Sequence, residues 1–109
     1  MGRAENLIQN ACLELLHFKG VMAWRNNTGA VKAEKRFYRF GQKGSGDIFA
    51  IVPPEGKFLS VECKTWIGTV TATQKAWAEM VEEMGGVAIV ARSVDDVCDA
   101  LDEILKGRP

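Results

Sequence analysis

Apolar and polar positions along this chain repeat with two periods, and the changes between them define the elements that we predict. Over residues 4–18 the apolar positions recur at intervals of three and four, which predicts an amphipathic helix that Gly20 ends. The same period predicts a second helix after Thr71 and a third after Ser93. The expected inner faces are Leu7, Ile8, Ala11, Cys12, Leu15 and Leu16, then Gln74, Trp77, Met80, Val81 and Met84, then Val94, Val97, Cys98, Leu101, Ile104 and Leu105.

Strands are predicted between these helices. Residues 21–25 are β-compatible, and residues 47–52 and 57–64 flank the turn sequence Pro53-Pro54-Glu55-Gly56, which predicts an antiparallel hairpin. The apolar run at 87–91 is typical of a parallel strand that is buried on both faces and follows a helical crossover. The predicted fold class is therefore α/β, with a mixed central sheet (an antiparallel meander plus a parallel strand) flanked by helices in the order α-β-β-β-α-β-α.

Length and composition narrow the class of protein. With 109 residues and 47% hydrophobic content, the chain has room for one domain, 1–109, and not comfortably for two. No run approaches the ~18 apolar residues of a membrane span, and the first residues lack the apolar core of a signal peptide. We therefore expect a soluble cytoplasmic protein. Cys12, Cys63 and Cys98 lie far apart in the sequence, each within an apolar stretch, which predicts buried reduced thiols.

The net charge is zero, but the charges are unevenly placed. Residues 25–43, which we call the basic segment, carry six basic residues and one acid, whereas residues 79–103 carry eight acids and one base. A polyanion would be attracted to the basic segment. Within it Phe37, Tyr38 and Phe40 interleave with Arg36 and Arg39, which predicts an extended piece that anchors its rings and presents guanidinium groups to phosphates. A solvated loop, or a strand with a core-facing aromatic side, is the alternative. The candidate nucleic-acid-binding residues are Arg25, Asn27, Thr28, Lys32, Arg36, Arg39 and Lys43.

Three charged side chains stand where the hairpin should be apolar. Glu62 and Lys64 share one strand face, roughly 6 to 7 Å apart, and the neighbouring strand brings Asp47 near both. Two carboxylates and the main-chain carbonyl of Cys63 can bind a divalent hard cation. Lys64 can stabilise a phosphate under attack or orient and deprotonate water. A surface ion pair explains any one of these residues, but the three together predict a metal-dependent, phosphodiester-cleaving site.

Two residues on the flanking helices are further candidates. Thr71-Ala-Thr-Gln74 matches a capping box, in which Gln74 bonds a backbone amide at the start of the helix. Glu5 lies about 70° from the centre of its helix's apolar stripe and can face inward. An acid in a first turn is also favoured by the helix dipole alone.

The motifs at these positions resemble a known family. Asp47 followed by Glu62-x-Lys64 resembles the PD-(D/E)XK nuclease superfamily, which has a restriction-endonuclease-like core. The chain is similar over nearly its whole length to a stand-alone virus-type replication-repair nuclease (VRR-NUC) domain. This similarity rests on Trp24-Arg25-Asn26-Asn27-Thr28-Gly29, Arg39-Phe40-Gly41, Gly46-Asp47-Ile48, Val61-Glu62-Cys63-Lys64 and Thr73-Gln74-Lys75. Gly46 replaces the proline of the superfamily's name.

The resemblance implies a role for each site residue. It implies Asp47 and Glu62 as Mg²⁺ or Mn²⁺ ligands, Lys64 as the catalytic lysine, Gln74 as a supporting site residue and Glu5 as the helix acid that reaches the metal shell. It also implies a structure-selective DNA endonuclease, with small phage-type members acting as homodimers on branched DNA such as Holliday junctions. A non-catalytic module that binds nucleic acid through the basic segment, or an RNA-directed nuclease, remains an alternative.

Overall fold

The computed structural model describes residues 2–26, 29–33, 36–40 and 43–106, with the segments 29–33 and 36–40 described by their backbone alone. The elements are α1 (Arg3–Phe18), β1 (Met22–Arg25), β2 (Gly29–Ala33), β3 (Arg36–Phe40), β4 (Ile48–Val52), β5 (Lys57–Cys63), α2 (Ala72–Glu83), β6 (Val87–Ala91) and α3 (Val94–Lys106). Apart from β2 and β3, their order is the predicted one. None of the described helices combines the length and hydrophobicity that a membrane span requires.

The main sheet has four strands in the order β1-β4-β5-β6. β4 pairs antiparallel with both β1 and β5, and β6 pairs parallel with β5. The predicted α/β class and mixed sheet are thus confirmed, as is the hairpin across residues 53–56. A parallel partner for β5 requires a crossover connection, and α2 provides it.

The extended piece predicted in the basic segment is present at residues 36–40 as β3, whereas its pairing with β2 was not predicted. β2 and β3 pair with each other as a separate antiparallel hairpin, with Lys32 opposite Phe37 and Ala33 opposite Arg36. The alternation of rings and cations indicated extended backbone correctly, but a local pattern does not reveal where a chain reverses. Of the predicted contacts to nucleic acid, Lys32, Arg36 and Arg39 lie on this hairpin, and Asn27 and Thr28 lie outside the described residues.

The core lies between one face of the sheet and the helices α1 and α3. The two-residue alternation of β4 and β5 places every second side chain on this face, where the apolar stripes of the two helices cover it. The buried members of the cluster are Cys12, Leu16, Val21, Ile48, Ala50, Val52, Leu59, Val61, Cys63, Ala91, Val97 and Leu101.

Several predicted inner positions proved wrong at the helix flanks. The buried face of α1 is rotated by about 80° toward Gln9, which is 4% exposed, whereas Leu7 is 63% exposed and Ala11 is also exposed. Polar groups at the end of the sheet draw Gln9 inward, as described below. On α2 the buried line runs through Trp77 and Val81. Met80, Met84 and Leu105 were also predicted to face inward but are exposed, and Cys98 is only partly buried.

The run at β6 is only partly buried instead of buried on both faces. Residues 87–90 are of intermediate exposure, and Ala91 alone in this strand is fully buried. Within the described sheet β6 is an edge strand with β5 as its neighbour, so one side of its backbone has no covering strand. A continuous apolar run indicates a parallel strand correctly but does not distinguish a central position from an edge.

Aromatic side chains attach α2 to the opposite face of the sheet. The Phe49 ring stacks on Trp77 with centroids 5.6 Å apart and meets Phe58 edge-on at 5.1 Å. Trp24 adds an edge contact to Phe49 at 6.4 Å. The Trp77 indole N–H donates a 2.9 Å hydrogen bond to the Ser60 hydroxyl, so the polar atoms at this contact are satisfied. These contacts set the position of α2 over the end of the hairpin.

The chain enters β4 through a position that requires glycine. A Cβ atom at Gly46 would lie 2.3 Å from the Ser60 hydroxyl and 3.0 Å from the Val61 carbonyl oxygen. Ser60 is 2% exposed and accepts the Trp77 bond, so it has little freedom to move away. This close approach brings the segment before β4 against β5.

We expect Gly46→Ala to lower the free energy of unfolding by about 2 kcal/mol, because an added methyl group overpacks this contact. Gly2→Ala is the matched control, since a Cβ atom there meets nothing within 4 Å. Urea unfolding of both variants measures the effect. The cost of Gly46→Ala should shrink in a Ser60→Ala background, and an unchanged cost would mean that the Ser60 hydroxyl is not the obstacle.

Candidate active site

Two carboxyl groups meet across the start of the hairpin. Ile48 pairs with Val61, so the register continued by one residue places Asp47 opposite Glu62. The Asp47 amide donates a 2.8 Å hydrogen bond to the Val61 carbonyl, which extends the ladder to this position. The Asp47 and Glu62 carboxyl groups lie close enough for each to shift the pKa of the other. Like charges at directly opposed positions are unfavourable, so neighbouring groups must offset this contact.

Asp47 is held mainly by backbone groups. One carboxylate oxygen, Oδ2, accepts a 2.7 Å hydrogen bond from the Cys63 amide, and its main-chain carbonyl accepts a 2.8 Å bond from the Asn26 amide. The Asn26 side-chain amide donates to the Ser45 hydroxyl at 2.7 Å and to the Gly46 carbonyl at 2.9 Å. Asn26 therefore shapes the bend that presents Asp47.

Glu62 is held by side chains from two elements. The amide nitrogen Nε2 of Gln74 donates a 2.9 Å hydrogen bond to Glu62 Oε2, while the Gln74 oxygen accepts a 2.9 Å bond from the Thr71 amide. Thr71 and Gln74 form the predicted capping box. Lys64 Nζ lies 3.9 Å from Glu62 Oε2, and both side chains are largely buried, at 12% and 13% exposure. Gln74 thus both helps to cap the start of α2 and orients the Glu62 carboxylate.

Burial favours the neutral forms of both acids. It raises the pKa of Asp47 above its ordinary value, although the hydrogen bond from the Cys63 amide opposes the shift. Burial and the adjacent Asp47 charge raise the pKa of Glu62 to about 8, with Lys64 opposing. Metal-free protein near neutral pH therefore keeps a proton on this pair. Two adjacent carboxyl groups that do not both ionise readily are typical of a site that binds a cation.

Glu5 approaches the pair from α1. It is half-buried, and its charge raises the pKa values of both Asp47 and Glu62. Among the residues that the structure describes, no three His, Cys, Asp or Glu side chains stand close enough together to hold a metal ion. Glu5 thus acts on the carboxyl pair through its charge here, and its predicted role as a ligand stays a prediction.

The backbone at Cys63 faces the same edge as the carboxylates. The Cys63 amide points toward Asp47, whereas the next amide, of Lys64, points to Ala91 of β6 at 3.0 Å. Because the N–H and C=O of one strand residue point to the same side, the Cys63 carbonyl also faces Asp47. The Cys63 thiol is buried, as is that of Cys12 in α1, and the interaction of the two thiols raises the pKa of Cys63. The predicted oxygen ligand therefore stands on the correct edge of the strand.

Two of the predicted nucleic-acid contacts have described side chains. Lys43 is exposed in the turn that precedes Asp47. The Arg25 guanidinium bonds the side chains of Gln9, at 2.6 Å, and Asn10. Arg25 therefore connects β1 to α1 besides carrying charge at the surface.

Sequence reasoning missed several residues that shape this site. Gln9 carried a usable signal, because it lies four residues after Glu5 and three before Cys12, on the inward face of α1. Arg92, at the end of β6, donates to the carbonyls of Thr65 and Gly68 and so orders the segment after Lys64. That contact spans more than twenty positions and has no local signature.

The comparisons with known proteins support the same architecture. No family model and no curated protein matches the chain. A solved structure described as "VRR_NUC domain" superposes with a TM-score of 0.64 at 18% identity, covering 99% of this chain and 100% of that one. The chain therefore has the fold of a VRR_NUC domain, and the predicted restriction-endonuclease-like core is confirmed as a fold.

We expect the metal-free protein to lose stability as the pH rises from 4.5, the ordinary pKa of a glutamate, to about 8, the value for Glu62 in the fold. In this window the folded state binds more protons than the unfolded state, so the free energy of unfolding falls with pH. Urea unfolding in EDTA across this range measures the slope.

Glu62→Gln should flatten that slope, because a glutamine resembles the neutral glutamic acid and still accepts the Gln74 bond. Glu79→Gln, which removes an exposed carboxylate from α2, is the control and should keep the wild-type slope. A Glu62→Gln profile as steep as that of wild type would show that other groups cause the pH dependence.

Proposed function

We propose that this protein is a divalent-metal-dependent, structure-selective DNA endonuclease. The observation that carries the proposal is the half-buried Asp47–Glu62 pair beside Lys64, at the end of the hairpin in a VRR_NUC fold. Paired carboxylates with an adjacent lysine suit phosphodiester hydrolysis, in which negative charge builds up on the phosphoryl group. A fold by itself does not establish an activity, so the proposed catalysis rests on the residues of the site.

The donor set fits a hard cation. Asp47 and Glu62 offer carboxylate oxygens, the Cys63 carbonyl faces the same edge, and Glu5 lies close enough to influence both acids. These residues would hold Mg²⁺ or Mn²⁺, which prefer oxygen ligands. When bound, such a cation supplies positive charge beside the phosphate and lowers the pKa of a nearby water molecule.

Lys64 and Gln74 act on the reacting groups in different ways. Lys64 stands 3.9 Å from Glu62 with a largely buried side chain, so its ammonium group can stabilise the phosphoryl charge or orient the attacking water. Gln74 is a positioning residue, because its amide bonds Glu62 and fixes the direction of that carboxylate. Removing it would leave Glu62 free to turn.

The basic segment is the proposed contact to DNA. Lys32, Arg36 and Arg39 lie on the β2-β3 hairpin, which joins β1 to the turn before Asp47. Together with Arg25, Asn27, Thr28 and Lys43, they would position phosphates beside the site. A four-way junction needs two symmetric cuts, whereas the described part of the chain contains one such carboxylate pair, so the proposal includes a homodimer acting on branched DNA.

We expect the wild-type protein to cut a four-way junction faster than a linear duplex of equal length, in Mg²⁺ or Mn²⁺ and not in EDTA. Asp47→Ala should abolish cleavage and weaken Mn²⁺ binding in calorimetry, because it removes a carboxylate from the donor set. Asp95→Ala, which deletes an exposed carboxylate of α3, is the control and should behave as wild type.

The outcomes of this experiment separate the alternatives. Binding of the junction with no cleavage in either metal, and no Mn²⁺ binding that depends on Asp47, would identify a non-catalytic binding module. Faster cleavage of structured RNA than of either DNA would identify an RNA-directed nuclease. Equal rates on the junction and the duplex would remove structure selectivity from the proposal.

We expect Lys64→Ala to reduce the cleavage rate on the order of 100-fold or more, with Mn²⁺ and DNA affinity retained, because its charge acts mainly in the transition state. Lys19→Ala removes an exposed lysine beyond the other end of α1 and serves as the matched control. Full activity of Lys64→Ala under single-turnover conditions would contradict the assigned role.

A further inference from the structure

The turn after β5 exposes two large apolar side chains. The Gly68 amide donates a 3.1 Å hydrogen bond to the Thr65 carbonyl, so Trp66 and Ile67 occupy the two central positions of a β-turn. They are 79% and 92% exposed. Such positions usually hold Gly, Pro, Asn, Asp or Ser, each for a conformational reason that neither Trp66 nor Ile67 supplies. Adjacent exposed apolar side chains of this size indicate a contact with something outside the chain.

Hydrogen bonds from Arg92 fix the turn to the body of the protein. One nitrogen of the Arg92 guanidinium donates to the Thr65 carbonyl and, at 2.8 Å, to the Gly68 carbonyl. Arg92 is fixed in turn, because its amide donates a 2.8 Å bond to the Asp96 carboxylate. The turn that carries Trp66 is therefore ordered before any partner arrives, which reduces the entropy lost on binding.

The turn lies against the proposed catalytic lysine. A Cβ atom at Gly68 would be 3.3 Å from Cδ of Lys64, so this residue packs directly on the lysine side chain. Trp66 stands two positions after Lys64 in the chain. Two cationic side chains, Lys64 and Arg92, contact the turn. The turn that carries the exposed Trp66 ring therefore borders two cationic side chains.

We infer that Trp66 is a stacking platform for an unpaired base of the nucleic acid, next to the phosphate that Lys64 contacts. Aromatic rings beside cations are the combination that binds single-stranded nucleic acid, because each base offers a flat face and each nucleotide a phosphate. In a continuous duplex both faces of a base are already stacked. The platform therefore favours a step between paired and unpaired DNA, and the inference rests on the proposed function.

The test uses two labelled DNAs of equal length, one a duplex with a single-stranded flap and the other fully paired. A 2-aminopurine stands at the first unpaired position of the flap and at the same position of the duplex. Affinity is measured by anisotropy and stacking by 2-aminopurine emission, in EDTA and again in Ca²⁺. Wild type, Trp66→Ala, Trp66→Phe and Phe18→Ala are compared.

We expect Trp66→Ala to bind the flap about 10-fold more weakly than wild type and to lose the emission change, since one base loses its stacking partner. Its affinity for the paired duplex should be unchanged. Trp66→Phe should retain most of both signals because a phenyl ring also stacks. Phe18→Ala is the matched control, since Phe18 is 86% exposed at the opposite end of α1 from Glu5 and should not contribute.

Three results would overturn the inference. An equal loss of affinity on both DNAs would make Trp66 a general contact, and wild-type behaviour of Trp66→Ala on the flap would show that no base stacks there. A change of oligomeric state in Trp66→Ala, measured by light scattering, would make the turn a subunit contact. Circular dichroism of each variant confirms that it is folded.

This test separates the inference from the proposed function. A flap-specific loss in Trp66→Ala without any metal-dependent cleavage by wild type would support the platform and refute the nuclease. Cleavage that depends on Asp47 and Lys64, together with unchanged flap binding by Trp66→Ala, would support the nuclease and refute the platform.

Discussion

Two carboxyl groups face each other across an antiparallel strand pair, and much of the surrounding structure serves to hold them there. Asp47 and Glu62 occupy opposed positions that an unassisted sheet would fill with opposite charges or apolar groups. An amide of the backbone, an amide of a glutamine and a lysine ammonium group offset the contact from three directions. Burial and the Asp47 charge still raise the pKa of Glu62 to about 8, so these contacts offset the opposition of the two carboxyl groups only in part.

This constraint explains why the site draws on so many elements. The close approach at Gly46 brings the start of β4 against β5, and Asn26 fixes the bend that precedes β4. The aromatic contacts of Trp77 place α2 so that its first turn reaches the carboxylates. On the opposite face, α1 brings Glu5 to the same end of the sheet. The hydrophobic core thus determines the site geometry through the positions of the elements that carry it.

The sequence predicted those features of the fold that depend on residues close together in the chain. The alternation of β4 and β5, the turn at 53–56 and the capping box were read correctly because each depends on neighbours in sequence. The folding back of the basic segment into β2 and β3, the inward rotation of Gln9 and the Arg92 bonds to the turn after Lys64 depend on distant partners. Of the site, the side chains on the hairpin and at the start of α2 were predictable, whereas the groups that position them were mostly not.

Gln74 bonds both the Thr71 amide and the Glu62 carboxylate, and these two roles limit the residue types that suit its position. Capping boxes accept either Glu or Gln at the third helical residue, and both can bond the Thr71 amide. A glutamate would bring another acid against Glu62 and, when ionised, has no hydrogen to donate to it. Gln74 satisfies the helix with its oxygen and the carboxylate with its nitrogen. In divergent relatives of this chain, an amide retained here would mark an intact carboxylate pair, and its exchange for an acid would mark a site that has changed its chemistry.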